Sequence, residues 1–439
     1  MTTQTLPSPT VSVRSEQHEW PVAIIGAGPV GLAAAAHLAE RGMRTIVLEA
    51  GAAAGTSVAA WGHTRLFSPW EYLIDAAAGR LLSSVGWQAP ASGGVPYGRD
   101  LVADYLLPLA ATPELAPNIR YGTTVAAVSR RGMDRTRSTD RTTTPFVLRA
   151  VHDGETTELF ARAVIDASGT YGTPNGLTAS GLEPTSATQV RANIAPALPD
   201  VLGADRRRFM GKDVVVVGAG HSAANTLIKL ARLARDEPST TIIWAIRSVS
   251  PIRVYGSTAD ELEGRGRLGA AVHGLVRDGS IALVDRFEID DVAPAPDNRV
   301  SMVGHRDGSP LSIDADVVVN ATGFRPDTAM LREIRLSLDE VVEAPRALAP
   351  LIDPNLHSCG TVPPHGILEL AHPEPDFYIA GMKSYGRAPT FLLATGYEQV
   401  RSIADELAGD TTAARLVQLV LPETGVCSTG QGADAGCCS

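Results

Sequence analysis

Val22-Ala-Ile-Ile-Gly26-Ala-Gly28-Pro-Val-Gly31 is a short apolar run that breaks into three glycines, and a helix-forming stretch from Leu32 to Glu40 follows. About 190 residues later the chain repeats the arrangement as Val214-Val-Val-Val-Gly218-Ala-Gly220-His-Ser222-Ala223, opening a second helix over 223–234. A strand, a glycine-rich turn and a helix in that order form the dinucleotide fingerprint. Its glycines permit the tight turn and let backbone amides approach a pyrophosphate, whose charge is stabilised at the helix N-terminus. Two such motifs in correct context point to two dinucleotides, most simply FAD and NAD(P)H.

The spaces around the motifs define the organisation. The strand Thr45-Ile-Val-Leu-Glu49 ends in an acid 18 residues beyond Gly31, placed to accept hydrogen bonds from an adenosine ribose. Ala163-Val-Ile-Asp166 runs into Ala167-Ser-Gly169, and Val317-Val-Val-Asn320 runs into Ala321-Thr-Gly323. These two strand-to-glycine turns bracket the second fingerprint like matching crossovers. The fold class is therefore α/β, with two Rossmann-like domains, the second inserted in the first. The expected segments are a disordered leader 1–19, an FAD-binding domain over 20–190 and 325–420, an NAD(P)H-binding domain over 205–324, and a flexible tail 421–439. Residues 119–128 and 146–151 read as strands around 129–144, a stretch of mixed charge with five arginines that reads as a solvated hairpin excursion.

Composition narrows the class. With 439 residues, 20% charged residues and a net charge of −10, the chain is long enough for two or three domains, and it disfavours a nucleic-acid or anionic-membrane surface. The first twenty residues lack a signal-peptide core and the apolar runs are too short to span a bilayer, so a soluble cytoplasmic enzyme of small molecules is expected. Of the four cysteines, Cys359, Cys427, Cys437 and Cys438, three fall in the last thirteen residues.

Taken together, these motifs resemble the two-dinucleotide-binding-domain flavoproteins, which include thioredoxin reductases, mercuric reductase and flavin-containing monooxygenases. The resemblance covers roughly residues 20–410. It implies FAD on Gly26, Gly28, Pro29 and Gly31 with Glu49 on its ribose, and NAD(P)H on Gly218, Gly220, Ser222 and Ala223, with hydride passing to the flavin. It also places Ala167, Gly169, Gly323 and the amides of Gly381 and Met382 in the cofactor-binding set. The chain departs from the subfamilies in three ways. The Cys-x-x-Cys pair of a disulfide reductase is absent from the sequence. Gln189-Val-Arg-Ala-Asn-Ile stands where flavin-containing monooxygenases carry Phe-x-Gly-x-x-x-His, and Gly381-Met382 replaces a Gly-Asp pair. A weaker similarity links Pro363-Pro-His365-Gly and the run from Met382 to Pro389 to actinobacterial flavin monooxygenases associated with arsenic.

Several residues are candidates for the chemistry. His63 and Arg65, within an aromatic stretch from Trp61 to Trp70, sit where relatives cover the flavin, and polar groups at a cofactor edge stabilise its reduced anion. Lys383 and Tyr385, with Arg387, form a second candidate edge of two cations and a phenol. Arg247 ends the next strand of the second unit with no acid beside it, which favours NADPH over NADH; selectivity at Arg253 is the alternative. His221 reads as packing or capping its helix. Thiolates are soft donors, so Cys427, Cys437 and Cys438 are candidate ligands for a trivalent metalloid, and the vicinal pair resembles that of mercuric reductase. Cys359 reads as a structural thiol, with His357 nearby. The resulting function is an FAD-dependent NADPH oxidoreductase, monooxygenase-like, acting on an arsenical, organosulfur or amine. A metal(loid) or disulfide reductase using the tail thiols and a non-enzymatic metalloid-binding flavoprotein are the alternatives. Homo-oligomers are common in such flavoproteins, although no interface signature is visible.

Overall fold

The computed structural model describes residues 20–251, 255, 263–353, 362–389 and 391–419. The leader, Arg253, His357, all four cysteines and residues 421–439 lie outside the described residues.

Two parallel sheets are built to one plan. In the first, β1 (Val22–Ile25), β2 (Thr45–Leu48), β3 (Ile119–Arg120), β7 (Ala163–Asp166) and β16 (Phe377–Ile379) take the order β16-β7-β1-β2-β3. In the second, β8 (Ile194–Ala195), β9 (Asp213–Val217), β10 (Thr241–Ala245), β11 (Ala282–Val284) and β15 (Val317–Asn320) take the order β8-β15-β9-β10-β11. Each sheet carries a three-stranded antiparallel meander: β4 (Thr123–Arg130), β5 (Phe146–His152) and β6 (Glu155–Ala161) on the first, and β12 (Phe287–Ala295), β13 (Arg299–Arg306) and β14 (Ser309–Ala315) on the second. The outermost strand beside β7 comes last in the chain and its counterpart beside β15 comes early, because the second unit is inserted between β7 and β16.

The central strands read as continuous apolar runs because both faces are covered. Strand periodicity sends Val22 and Ile24 to the face packed by helices α1 (Pro29–Glu40), α2 (Ala76–Ser84) and α5 (Leu393–Leu407), while Ala23 and Ile25 face the meander. In the second unit Val214 and Val216 join the core under α3 (His221–Asp236) and α4 (Glu263–Arg277), and Val215 and Val217 join the meander core. Leu177 and Val190 already pack in that second meander core.

Between the units, the two crossovers run side by side. Asn175 N–H donates to Gly323 O at 2.9 Å, Arg325 N–H to Thr173 O at 3.0 Å, and Asn320 Nδ2 to Asn175 O at 2.8 Å. The rings of Tyr171 and Phe324 stack at 5.3 Å.

The stretch 129–144 is largely exposed, as its solvated reading has it, but two of its arginines are not. Arg130 and Arg141 are buried, and both guanidiniums converge on the buried carboxylate of Glu374: Arg130 Nε donates at 2.8 Å and Arg141 Nη2 at 2.7 Å. Arg130 also lies 3.6 Å over the Phe146 ring. Local mixed charge hid this, because the partner is more than 230 residues away in sequence.

Candidate functional site

Both fingerprint turns leave a helix end open to an anion. Gly26 has φ +100°, and a Cβ there would meet Ala167 O at 2.8 Å; a Cβ on Gly31 would overlap Gly26 O. These two glycines are required by close backbone approach. At Gly28 and Gly220, by contrast, an added Cβ would meet no heavy atom within 4 Å. α1 starts with Pro29 at its first turn and α3 with His221 and Ser222; neither helix has a side-chain N-cap or an acid in its first turn. Their leading N–H groups are thus the donors that a pyrophosphate would use.

Past β2, the Glu49 carboxylate accepts from Ala27 N at 2.6 Å and from Gly51 N at 2.7 Å. An ionised carboxylate has roughly four acceptor positions, so Glu49 retains capacity for ribose hydroxyls beside the first loop. The equivalent residue past β10 is the buried Ile246: Glu49 N–H donates to Arg120 O and Ile246 N–H to Val284 O, each at 2.9 Å. Arg247, next along, is exposed. The second unit therefore offers a cation and no carboxylate at this corner.

Each turn after the partner strand is held by its own Asx side chain. Asp166 Oδ1 accepts from Ser168 N at 3.1 Å and Ser168 Oγ at 2.6 Å; Asn320 Oδ1 accepts from Thr322 N at 3.2 Å and Thr322 Oγ1 at 2.6 Å. Gly169 and Gly323 both follow with positive φ. Asp166 Oδ2 also takes Lys383 Nζ at 2.7 Å, and that ammonium reaches Ser168 Oγ at 3.0 Å. The sequence reading singled out Ala167 and Gly169 but missed Asp166 and Asn320, although the repeated Asx-Ala-Ser/Thr-Gly pattern was the available signal.

The four catalytic candidates lie in different surroundings. Lys383 is buried on Asp166, and Arg387 stands 3.9 Å from Glu343. Both cations of this edge thus have acidic neighbours. Tyr385 is buried; loss of solvent pushes its phenol well above the usual range, only partly offset by a hydrogen bond with Thr395. Its ring meets Phe391 edge-on at 5.1 Å. Arg65 is exposed and donates Nε to Val95 O at 3.1 Å. His63 faces the second unit: burial and then the nearby Lys229 charge lower its pKa, which favours the neutral ring. Lys229, on α3, reaches Thr64 Oγ1 at 3.3 Å, and His221 at the head of α3 meets the Phe67 ring at 5.2 Å. The aromatic stretch around Trp61 to Trp70 is thus partly a contact between units; Trp70 itself is core.

Beneath the turn after β16, Gln399 organises a buried polar cluster. Its Oε1 accepts from Gly381 N at 2.8 Å, and its Nε2 reaches Ser384 Oγ at 2.9 Å and His365 Nε2 at 2.8 Å. His365 Nδ1 lies 3.0 Å from Pro363 O. A carbonyl only accepts, so Nδ1 carries the proton and Nε2 accepts from Gln399. This cluster fixes the Gly381–Met382 backbone, where φ of Gly381 is +71° and an added Cβ would come within 3.2 Å of Val30 on α1. None of its side chains was legible as functional from sequence.

With two parallel sheets, two open helix termini and two matched strand-end turns in place, the relationship to known proteins follows. The model of the pyridine nucleotide-disulphide oxidoreductase family matches residues 23–355. The chain belongs to that family. It is accordingly an oxidoreductase of the two-dinucleotide-binding-domain flavoprotein superfamily. Similar solved structures include a bacillithiol disulfide reductase from Bacillus cereus (19% identity, TM-score 0.64, 89% of this chain and 99% of that chain covered). The FAD-bound cadaverine monooxygenase of desferrioxamine biosynthesis from Erwinia amylovora is similar too (14%, 0.62, 94% and 99%). So is a flavin-containing monooxygenase from Stenotrophomonas maltophilia (22%, 0.57, 89% and 98%). No curated protein matches the chain. Within the family fold, no helix among the described residues is long and apolar enough to cross a membrane. No cluster of three or more His, Cys, Asp or Glu among them could hold a metal ion.

Proposed function

We propose that this oxidoreductase is an FAD-dependent, NADPH-using monooxygenase acting on a small soft or nucleophilic substrate: an arsenical, an organosulfur compound or an amine. One observation carries the choice of oxygen over a thiol as electron acceptor. Residues 20–353 contain no cysteine, so both fingerprint loops and both strand-end turns lack a thiol that could relay electrons. When bound, FAD would supply the redox chemistry between NADPH and dioxygen, with one oxygen atom going to substrate and the other to water.

This chain's residues bind and orient. Gly26, Gly28, Pro29 and Gly31 admit a pyrophosphate to the head of α1, and Glu49 accepts from the ribose. The Gly381–Met382 turn, whose Gly381 N–H is held by Gln399, borders the flavin with Ala167, Gly169 and Gly323, leaving the Met382 amide to face it. Gly218, Gly220, Ser222 and Ala223 take the NADPH pyrophosphate, and the exposed Arg247 meets the 2′-phosphate. His63, kept neutral by its surroundings, stands where the two units meet and can accept a proton there.

The test mixes FAD-loaded enzyme anaerobically with NADPH, follows bleaching of the flavin absorbance, and then adds isotopically labelled dioxygen with a trivalent methylarsenical, a thioether or a primary amine. The expected outcome is bleaching by NADPH, label in the product, and no product without oxygen. Full turnover in the absence of oxygen overturns the reading. Abolition of turnover by Cys437→Ser with Cys438→Ser transfers it to a thiol-dependent reductase, and arsenite binding without NADPH oxidation transfers it to a metalloid-binding protein.

A further inference from the structure

The two nucleotide loops solve one steric problem in different ways. In the first, Gly31 is obligatory because a Cβ there would overlap the Gly26 carbonyl. In the second, the same position is Ala223, whose methyl is fully buried. The Gly218 carbonyl therefore cannot occupy, relative to α3, the place that Gly26 O occupies relative to α1. It faces β10 instead, where Trp244 Nε1 donates to Gly218 O at 2.8 Å. The backbone differs at the same point: φ is +129° at Gly218 against +100° at Gly26. A Cβ on Gly218 would also crowd Ala321 O more closely than one on Gly26 crowds Ala167 O.

The donor has no counterpart in the first unit. Register pairs Val216 with Trp244 and Ile24 with Val47, so the equivalent side chain beside the first loop is an aliphatic with nothing to donate. Glycine with valine in one unit and alanine with tryptophan in the other thus form matched pairs. The indole is fully buried and meets the Tyr255 ring edge-on at 6.2 Å, and Tyr255 in turn stacks on His273 at 4.6 Å.

We infer that Trp244 is a positioning residue for the second nucleotide loop: its indole N–H holds the Gly218 carbonyl clear of the Ala223 methyl, and so keeps Gly220 and the first turn of α3 directed at the pyridine nucleotide's pyrophosphate. The inference rests on the reading that the second fingerprint binds NADPH. Removing the donor leaves a half-buried carbonyl without its partner and free to rotate toward the methyl, which is expected to weaken binding about tenfold.

The experiment titrates FAD-loaded enzyme calorimetrically with NADP+, which binds without turnover, and measures the steady-state kinetics of NADPH oxidation. Trp244→Phe is expected to raise the Kd for NADP+ and the KM for NADPH about tenfold, with kcat and the flavin spectrum unchanged. Ala223→Gly in that background is expected to restore most of the affinity, because a carbonyl with no methyl beside it needs no restraint. Unchanged affinity in Trp244→Phe, or loss of affinity that Ala223→Gly does not relieve, overturns the inference while the NADPH reading stands. A wild-type enzyme that gives no NADP+ heat and no NADPH-driven bleaching overturns both. Should the phenylalanine variant fail to fold, the benzothiophene analogue of tryptophan at position 244 replaces only the N–H and gives the same readout.

Discussion

After β7 the chain turns on a carboxylate, and after β15 it turns on an amide. Asp166 with Ser168 and Asn320 with Thr322 make the same pair of local hydrogen bonds, within 0.1 Å of each other in length. What differs is the remaining atom of each Asx side chain. Asp166 Oδ2 holds the ammonium of Lys383 in a pair almost wholly removed from solvent, whereas Asn320 Nδ2 donates to Asn175 O in the neighbouring crossover. The local bonds therefore set the shape of the turn, and charge is an independent choice laid on that shape. Among the described residues the first unit holds fully buried ion pairs, at Lys383–Asp166 and where two arginines meet Glu374, beside exposed ones such as Arg80–Glu40; the ion pairs of the second, as at Arg306–Asp285 and Arg299–Asp213, stay near the surface.

The largest effect is expected where a buried pair is broken on one side. Lys383→Met leaves the Asp166 carboxylate without its cation and is expected to cost about 3–5 kcal/mol in urea unfolding. Adding Asp166→Asn should recover most of that loss, since the turn then carries the same neutral side chain as its counterpart at Asn320. A loss below about 1 kcal/mol in the single variant would break the contrast between the turns.

An intermediate effect is expected from pH. Burial pushes the His372 pKa down to about 4, and Ser337 N–H donates to its Nδ1. Burial also lowers His365, and both residues belong to the first unit; His305 of the second is half-exposed and lies 2.7 Å from Asp290. The unfolded chain takes up a proton at His372 below about pH 6.5, while the folded chain resists until about pH 4. Its stabilising contribution is thus complete above about pH 6.5 and is lost as pH falls towards 4, by up to about 3 kcal/mol. His372→Gln should flatten the dependence of the unfolding midpoint over that window; an unchanged slope would place the acid sensitivity elsewhere. The smallest effect is expected at the surface: Arg306→Ala, which removes a partly exposed pair with Asp285, should change stability by about 0–1 kcal/mol.

The features legible in the sequence are those written locally. Each glycine turn sits between a run of strand-forming residues and a helix, so both fingerprints and the insertion could be read without coordinates. Glu49 was legible because its spacing from Gly31 is set by one helix and one strand. The Lys383–Asp166 pair joins residues 217 apart, and Glu374 gathers arginines from a segment more than 230 residues away. No periodicity connects such positions; packing of β16 beside β7 does. Trp244 stands in a strand whose burial is legible in sequence, while the carbonyl that its N–H meets is not. His63 and Arg65, two residues apart, diverge because a turn sends one towards Lys229 and the other to solvent.

The paired crossovers have a consequence for how such a protein is assembled and rebuilt. Asn175 N–H and Gly323 O, where the chain enters and leaves the second unit, are 2.9 Å apart. A long insertion whose ends already touch adds little loop-closure entropy to its host, because the host experiences it as a connection of a few residues. The stretch between those two points is in this sense a cartridge: it can be lengthened, exchanged for the equivalent stretch of a relative, or cut out and bridged by a short turn, with the parallel sheet around β1 left to close on its own strands.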